Sequence, residues 1–348
     1  MSEEIDGILD ELDSDDGLFE HHRIVVDKGQ GLVRIDKFLV DRLEKTSRSR
    51  IQNAQESGFV RVNGVPVKSS YKIKPTDVIT VEMPYPVREI ELLAEDIPLD
   101  ILYEDDDVIV LNKQSNMVVH PGHGNYTGTL VNALMFHIEN LPEGSAEARP
   151  GLVHRLDKNT TGVMVIAKTD YALTHLAKQF FDRTTDRRYA AIVWGDVSED
   201  GIVTGHIGRS PHDRKVFMVY PDGSNGKHAV THYKVLDRLG YVTVVECKLE
   251  TGRTHQIRVH MKYIGHTLFG DTEYGGNQVL KGTTFAKYGQ FVENCFKILP
   301  RQALHAKSLG FMHPTKKEWM QFETPMPPDM QEVIDKWKRY TAGSVGGQ

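Results

Sequence analysis

The densest run of chemically capable side chains is Gly151-Leu152-Val153-His154-Arg155-Leu156-Asp157-Lys158-Asn159-Thr160-Thr161-Gly162. His154, Arg155, Asp157 and Lys158 place both signs of charge within five positions, and the apolar run Val163–Ala167 follows as a buried strand ended by Lys168. The polar segment then reads as an ordered loop at the strand's entrance. A carboxylate held among fixed cations stays ionised and aimed, which suits a nucleophile better than a general acid. A solvated turn with a surface ion pair would show the same local composition, so the segment gains its meaning from the rest of the chain.

Two other stretches could complete a site. Arg187-Arg188-Tyr189 opens a strand-like run to Gly195. A tyrosine there fills a core with its hydroxyl satisfied at the rim, or it offers a stacking platform for a base with arginines beside it for phosphates. Val242–Leu249 reads as a strand that delivers Glu250-Thr251-Gly252-Arg253-Thr254-His255-Gln256-Ile257-Arg258-Val259-His260. With Thr254 as cap, Ile257, Met261 and Ile264 on one face and Gly265 at the end, this becomes a helix. Arg253 falls at the strand-to-helix turn. His255, His260 and His266 lack the spacing with a glutamate that zinc peptidases use, and His120 and His123 have no accompanying ligand cluster, so no metal is expected. The glycines of 122–124 match neither a P-loop nor a dinucleotide fingerprint.

Further elements must hold these residues in place. Thr129–His137 carries Leu130, Ala133, Leu134 and His137 on one helical face, and Leu173, Leu176, Ala177 and Phe180 repeat at helical spacing behind a cap at Thr169 or Asp170. Ile101–Tyr103 and Val108–Leu111 read as two strands around an acidic turn. Residues 33–83 form a unit of their own. Ile35, Phe38, Leu39 and Leu43 mark a short helix, Ser47 caps a second that stops at Gly58, and Asn63-Gly64 signals a tight hairpin before a last strand at Val78–Met83. Arg34, Arg48, Arg50 and Lys68 belong to a basic set spread through this unit, partly at helix starts, and tilt the reading toward a phosphate-contacting face. Pro84, Pro86 and Pro98 make residues 86–100 a linker.

Composition bounds the rest. The chain has 348 residues, 39 % of them hydrophobic and 26 % charged, as in an ordinary soluble protein of two domains. No apolar run is long enough to span a membrane, the N-terminus lacks the pattern of a secretory signal, and a cytoplasmic location is expected. Cys247 and Cys295 are too few for a disulfide framework or a structural zinc site and read as small buried hydrophobes. Residues 1–20 hold nine acidic and no basic residues; subtracting their nine charges from the formal −6 leaves +3 for the remainder. Residues 1–25 are therefore expected to form a disordered acidic tail on a mildly basic body compatible with RNA. Residues 336–348 read as a frayed C-terminal tail.

Taken together, His154-Arg155-Leu156-Asp157 with Thr160-Thr161-Gly162, Arg188-Tyr189, and Thr251 through His260 resemble the RluA/RluD family of RNA pseudouridine synthases. Val118–Pro121, Gly265-His266 with Gly270-Asp271, and Arg301–Ala306 agree, and residues 33–83 resemble the S-four-type RNA-binding domain. Gln114, Asn159, Thr161 and Thr267 stand where members commonly carry Pro, Asp, Ser and Pro. The resemblance covers residues 26 to 330. It implies an α+β fold with a mixed, largely antiparallel central sheet over residues 101–335. It implies that Asp157 is the nucleophile on a uridine flipped out of its stack, acting on the uracil ring or the sugar. Tyr189 would stack on the base and assist proton removal, Arg253 would pair with Asp157, and Arg155 would fill the space the base vacates. Isomerisation of this kind implies no redox cofactor, nucleotide or metal. The partner would be RNA, large-subunit ribosomal RNA in view of the fused module, and the protein a monomer. A non-catalytic RNA-binding protein of ribosome assembly would use residues 33–83 without needing Asp157, Tyr189 and Arg253, and a histidine-rich metal-dependent hydrolase is a third reading.

Overall fold

The computed structural model describes residues 19–43, 46, 48–83, 92–122, 124–138, 151–213 and 216–345. His123, Ser47 and the side chain of Arg50 lie outside them, as does residues 1–18 of the expected tail. The chain divides into two compact units at about residue 91.

The first unit is a four-stranded antiparallel sheet in the order β1–β4–β2–β3, where β1 is Phe19–Val25, β2 Val60–Val62, β3 Val65–Pro66 and β4 Val78–Met83. Helices α1 (Ile35–Arg42) and α2 (Arg48–Glu56) bury Ile35, Phe38, Leu39 and Ile51 against Val60, Val62, Ile79 and Val81. Asn63 and Gly64 both take positive φ (51° and 81°), as a two-residue hairpin requires. Residues 19–25 of the expected tail are a strand. Arg23, Ile24 and Val25 pair with Thr80, Ile79 and Val78, because an unpaired edge of β4 is completed by a strand from upstream.

The second unit is α+β and is built on a ten-stranded sheet, among the described residues, in the order β10–β9–β11–β12–β8–β13–β7–β6–β5, with β14 paired to β13. The strands are β5 Ile101–Glu104, β6 Val108–Lys113, β7 Thr161–Ala167, β8 Asp186–Trp194, β9 Gly201–Arg209, β10 Phe217–Tyr220, β11 Lys227–Arg238, β12 Val242–Leu249, β13 Leu304–Met312 and β14 Trp319–Glu323. Every pairing is antiparallel except β7 with β13. Both faces of the middle strands are buried. Along β7, Met164 and Ile166 enter the core that holds α3 (Leu130–His137) and α5 (Gln256–Tyr263), while Val163, Val165 and Ala167 pack under α4 (Asp170–Asp182). This is why the strand is apolar throughout instead of alternating. Caps appear where the sequence puts them on α3 and α4, with Thr129 accepting from the Asn132 N–H and Thr169 from that of Ala172. Cys247 and Cys295 are buried, and burial pushes the Cys247 thiol up to about 12.

Two boundaries are corrected. Of the expected linker, residues 92–100 belong to the second unit: Asn132 Nδ2 donates to Leu93 O at 2.7 Å, and Ile97 and Leu99 pack on its core. The expected C-terminal tail is helical through α7 (Pro328–Val345), which with α6 (Ala286–Ile298) covers the sheet face formed by Ile192, Trp194, Val242 and Val244. Trp337, inside that expected tail, is fully buried, and truncating it to Ala would cost about 3–5 kcal/mol. Met330, Val333, Ile334 and Trp337 lie at i, i+3, i+4 and i+7, a helical signal present in the sequence.

Candidate active site

Asp157 sits in the loop before β7, and backbone and side-chain bonds fix that loop at successive residues. The Thr160 N–H donates to Asp157 O at 3.0 Å, Lys113 Nζ donates to Lys158 O at 3.0 Å, and Arg301 Nη1 donates to Asn159 O at 3.1 Å. Lys113 also donates to the carbonyls of Gln114 and Met117, so a buried ammonium is satisfied by three carbonyl oxygens. Burial lowers its pKa to about 7, against an opposing pull from Asp157. Arg301 is itself held by both oxygens of Asp329 (2.7 and 2.9 Å) in the first turn of α7. Thr161 Oγ1 lies 2.9 Å from His305 Nδ1, whose Nε2 is 3.0 Å from Thr324 Oγ1. Gly162 permits the close parallel approach of β7 to β13. Its φ is +121°, and a Cβ there would lie 2.2 Å from Ala306 O.

The cation on Asp157 is Arg258, not Arg253. Arg258 Nη1 donates to Asp157 Oδ2 at 3.1 Å, while its Nε and Nη2 clasp Asp271 at 2.7 and 2.8 Å and Nη2 also reaches Glu273. Its side chain is 3 % exposed, against 22 % for Asp157. Burial alone would pull the guanidinium's pKa down, but Asp271, Asp157 and Glu273 outweigh it and raise it well above its ordinary value. The Arg258 guanidinium also faces the Tyr274 ring, 4.8 Å from its centroid. Arg253 instead donates from Nε to His228 O at 3.1 Å. Helix α5 is capped by His255, in the left-handed region at φ 56°, not by Thr254. Arg258 lies inside that helix, where Asp271 orients its guanidinium onto Asp157, while Arg253 lies in the loop before it and turns to the His228 carbonyl.

Gln256 organises that turn. Its Oε1 accepts from Thr251 Oγ1 and the Arg253 N–H, while its Nε2 donates to Val230 O and Thr231 Oγ1. The loop is thereby tied to β11. His255 Nδ1 meets the Tyr274 hydroxyl at 2.9 Å, and its Nε2 lies 3.8 Å from Asp157 Oδ1.

Tyr189 is buried in β8 on the core face that also holds Leu156 and Ile257, and burial raises its hydroxyl pKa, with a smaller push from Asp157. Arg188 is not beside it. Successive strand residues point to opposite faces, and Arg188 is paired with Asp186 and Glu246 at 3.0 Å each. Arg155 is exposed two residues before Asp157. His154 serves structure: its Nε2 accepts from the Val165 N–H at 3.1 Å, its ring stacks on Phe180 at 4.6 Å, and burial lowers its pKa to about 3.

Among the described residues, Asp105, Asp107 and His313 converge in a metal-like cluster. Lys316 Nζ already sits 2.8 Å from Asp105 Oδ2, so a cation occupies that position. In the first unit, Arg34 and Arg48 both bind the buried Asp36, at 3.0 and 2.8 Å. Burial would raise that carboxyl, but hydrogen bonds from Arg34, Arg48 and Gln52 hold it well below the usual range. Both arginines keep over two fifths of their side-chain surface exposed, and Lys68 is exposed.

Comparison with known proteins places the chain in a family. A family model described as RNA pseudouridylate synthase matches residues 107–263, and an S4 domain model matches residues 33–79. An RNA pseudouridine synthase of Chlorobaculum parvum is 46 % identical over 89 % of this chain and 96 % of its own length. The chain belongs to the RNA pseudouridine synthase family. A ribosomal large subunit pseudouridine synthase D of Zymomonas mobilis is 44 % identical over 86 % of this chain and 92 % of its own. The solved structure of human RNA pseudouridylate synthase domain containing 4 aligns with a TM-score of 0.50 at 27 % identity, over 68 % of this chain and 92 % of that one. The enzyme thus isomerises uridine in RNA to pseudouridine, and its S4 domain is an RNA-binding unit. No described helix is long and apolar enough to cross a membrane.

Proposed function

We propose that this synthase acts on large-subunit ribosomal RNA in the cytoplasm, as a monomer, with Asp157 as its nucleophile. The ion pair between Asp157 and the buried Arg258 carries the reading. In the reaction the N1–C1′ bond of the uridine breaks, the base turns, and a C5–C1′ bond forms, while C5 loses a proton and N1 gains one. No electrons are gained or lost overall, so the reaction itself calls for no redox cofactor. Attack by Asp157 on the ring or on the sugar detaches the base in either case, provided the carboxylate is aimed. Arg258, fixed by Asp271, supplies that aim without reorganising during the step. Tyr189, buried in β8, stacks on the flipped base, and its hydroxyl takes part in removing the C5 proton. Arg155, exposed beside the loop, fills the gap left in the RNA stack. Names of relatives such as the Zymomonas mobilis protein support the ribosomal substrate.

Asp157→Asn tests the core of this reading. The variant removes one negative charge, yet Arg258 keeps Asp271 and Glu273, so folding and RNA binding should remain near wild type. Pseudouridine content of a large-subunit ribosomal RNA transcript, measured after incubation with each protein, should fall to background. Substantial product from the folded asparagine variant would exclude Asp157 as nucleophile, and a wild-type chain inactive on that transcript would exclude the substrate.

A further inference from the structure

The sequence offered both Arg187 and Arg188 as phosphate contacts beside Tyr189; Arg188 is taken by carboxylates, and the setting of Arg187 is unusual. Its residue is 9 % exposed, and its Nε is buried without a hydrogen-bond partner. Among the described residues, no carboxylate or carbonyl accepts from its guanidinium; its recorded contact is the Phe180 ring, whose centroid lies 5.6 Å from Cζ. A ring face compensates a desolvated cation far less than an anion does. The similarly buried Arg258 and Arg301 are paired, with Asp157 and Asp271 and with Asp329 respectively.

Its neighbours are the segments that frame the nucleophile. Arg187 lies two residues from Tyr189 on β8, and so on the same strand face. Its charge is felt by both Tyr189 and His154, which stand on the strand and on the Asp157 loop. Its Nη1 lies 2.9 Å from where a Cβ at Gly252 would be, so the guanidinium reaches the loop before α5. A largely buried arginine that lacks an anion, beside a site for a polyanion, is suited to bidentate phosphate recognition.

We infer that Arg187 binds a backbone phosphate of the RNA strand next to the uridine held at Asp157. This rests on the proposed function, because it takes RNA at Asp157 as the ligand. The guanidinium would neutralise the phosphate at the point where the strand is bent to turn the base out. Arg187 is then a positioning residue, acting on the strand and not on the reacting atoms.

The test uses the full chain and short RNAs derived from a transcript in which it forms pseudouridine. Each RNA carries one uncharged methylphosphonate in place of a phosphate flanking the target uridine. Arg187→Gln should weaken binding of natural RNA by about tenfold and reduce the salt slope by about one counterion. Turnover of the bound RNA should stay within about threefold of wild type. At one linkage, wild type should lose about as much affinity on the methylphosphonate RNA, and Arg187→Gln should lose no more. The variant's thermal midpoint should be unchanged or higher, since a buried charge without an anion has been removed. Unchanged affinity in the variant, or equal losses by both proteins at every neutralised linkage, would overturn the inference. If the variant fails to fold, the wild-type scan decides alone: no linkage with a selective loss overturns it. An inactive wild type would instead refute the proposed function, before any variant is compared.

Discussion

Arg258 lies 101 residues beyond Asp157 in the chain, yet its Nη1 donates to Asp157 Oδ2 at 3.1 Å while Asp271 clasps the other side of the guanidinium. Arg253, five residues earlier in the same motif, bonds to His228 O instead. The two arginines therefore separate by experiment. Arg258→Met leaves Asp157 and the buried Asp271 without their cation and should cost about 3–5 kcal/mol of stability, with turnover falling at least about 100-fold. Arg253→Met removes a partly exposed bond to a carbonyl and should cost about 1 kcal/mol or less, with turnover within about tenfold. Denaturant unfolding and single-turnover assays on both variants check this. An Arg253 variant as inactive as the Arg258 variant would contradict the pairing seen here.

Tyr189→Phe keeps the ring and removes the hydroxyl. Binding of RNA should be unchanged, while turnover should fall by about 10²- to 10⁴-fold if the hydroxyl moves a proton. Wild-type turnover would reduce Tyr189 to a stacking surface.

The pH dependence of stability should carry a signature of His154. Its folded pKa, about 3, is below the ordinary 6.5, so between those values the unfolded chain binds a proton that the folded chain does not. Stability from this group is complete above 6.5 and is lost as pH falls toward 3. His154→Gln can still accept from the Val165 N–H but cannot titrate. Its thermal midpoint should therefore decline less steeply than that of wild type between pH 6.5 and 4. Parallel curves would show that the buried ring is not what makes the fold acid-sensitive.

Gly162→Ala would place a methyl group 2.2 Å from Ala306 O at a φ of +121°. Backbone strain and the clash together should destabilise the protein by about 3 kcal/mol or more. A thermal midpoint within a few degrees of wild type would mean that β7 and β13 can separate without loss.

Much of the fold was legible because its signals are local. The hairpin at Asn63-Gly64, the caps Thr129 and Thr169, and the apolar strand before Lys168 each rest on residues within a few positions of one another. Helix α7 carried an equally local pattern in Met330, Val333, Ile334 and Trp337, and the reading of its second half as a frayed end overlooked it. The pairing of β1 with β4 was beyond such signals, since Arg23 and Thr80 meet only across the whole first unit.

By itself the sequence determined which residue types were available for chemistry: the aspartate of the loop, the tyrosine of β8, and the arginines before and within α5. It also determined the family that their order resembles. Tertiary structure decided which arginine serves Asp157 and which stands beside Tyr189. The first depended on packing across the site, where Asp271 holds the Arg258 guanidinium on Asp157 while Arg253, in the loop before α5, turns to the His228 carbonyl. The second depended on strand alternation, which turns Arg188 to its carboxylates and leaves Arg187 on the tyrosine's face. A buried ion pair forms between side chains that share a low-dielectric space, whatever their separation along the chain. Periodicity reports the face on which a residue lies, but only packing of the elements brings two such faces together.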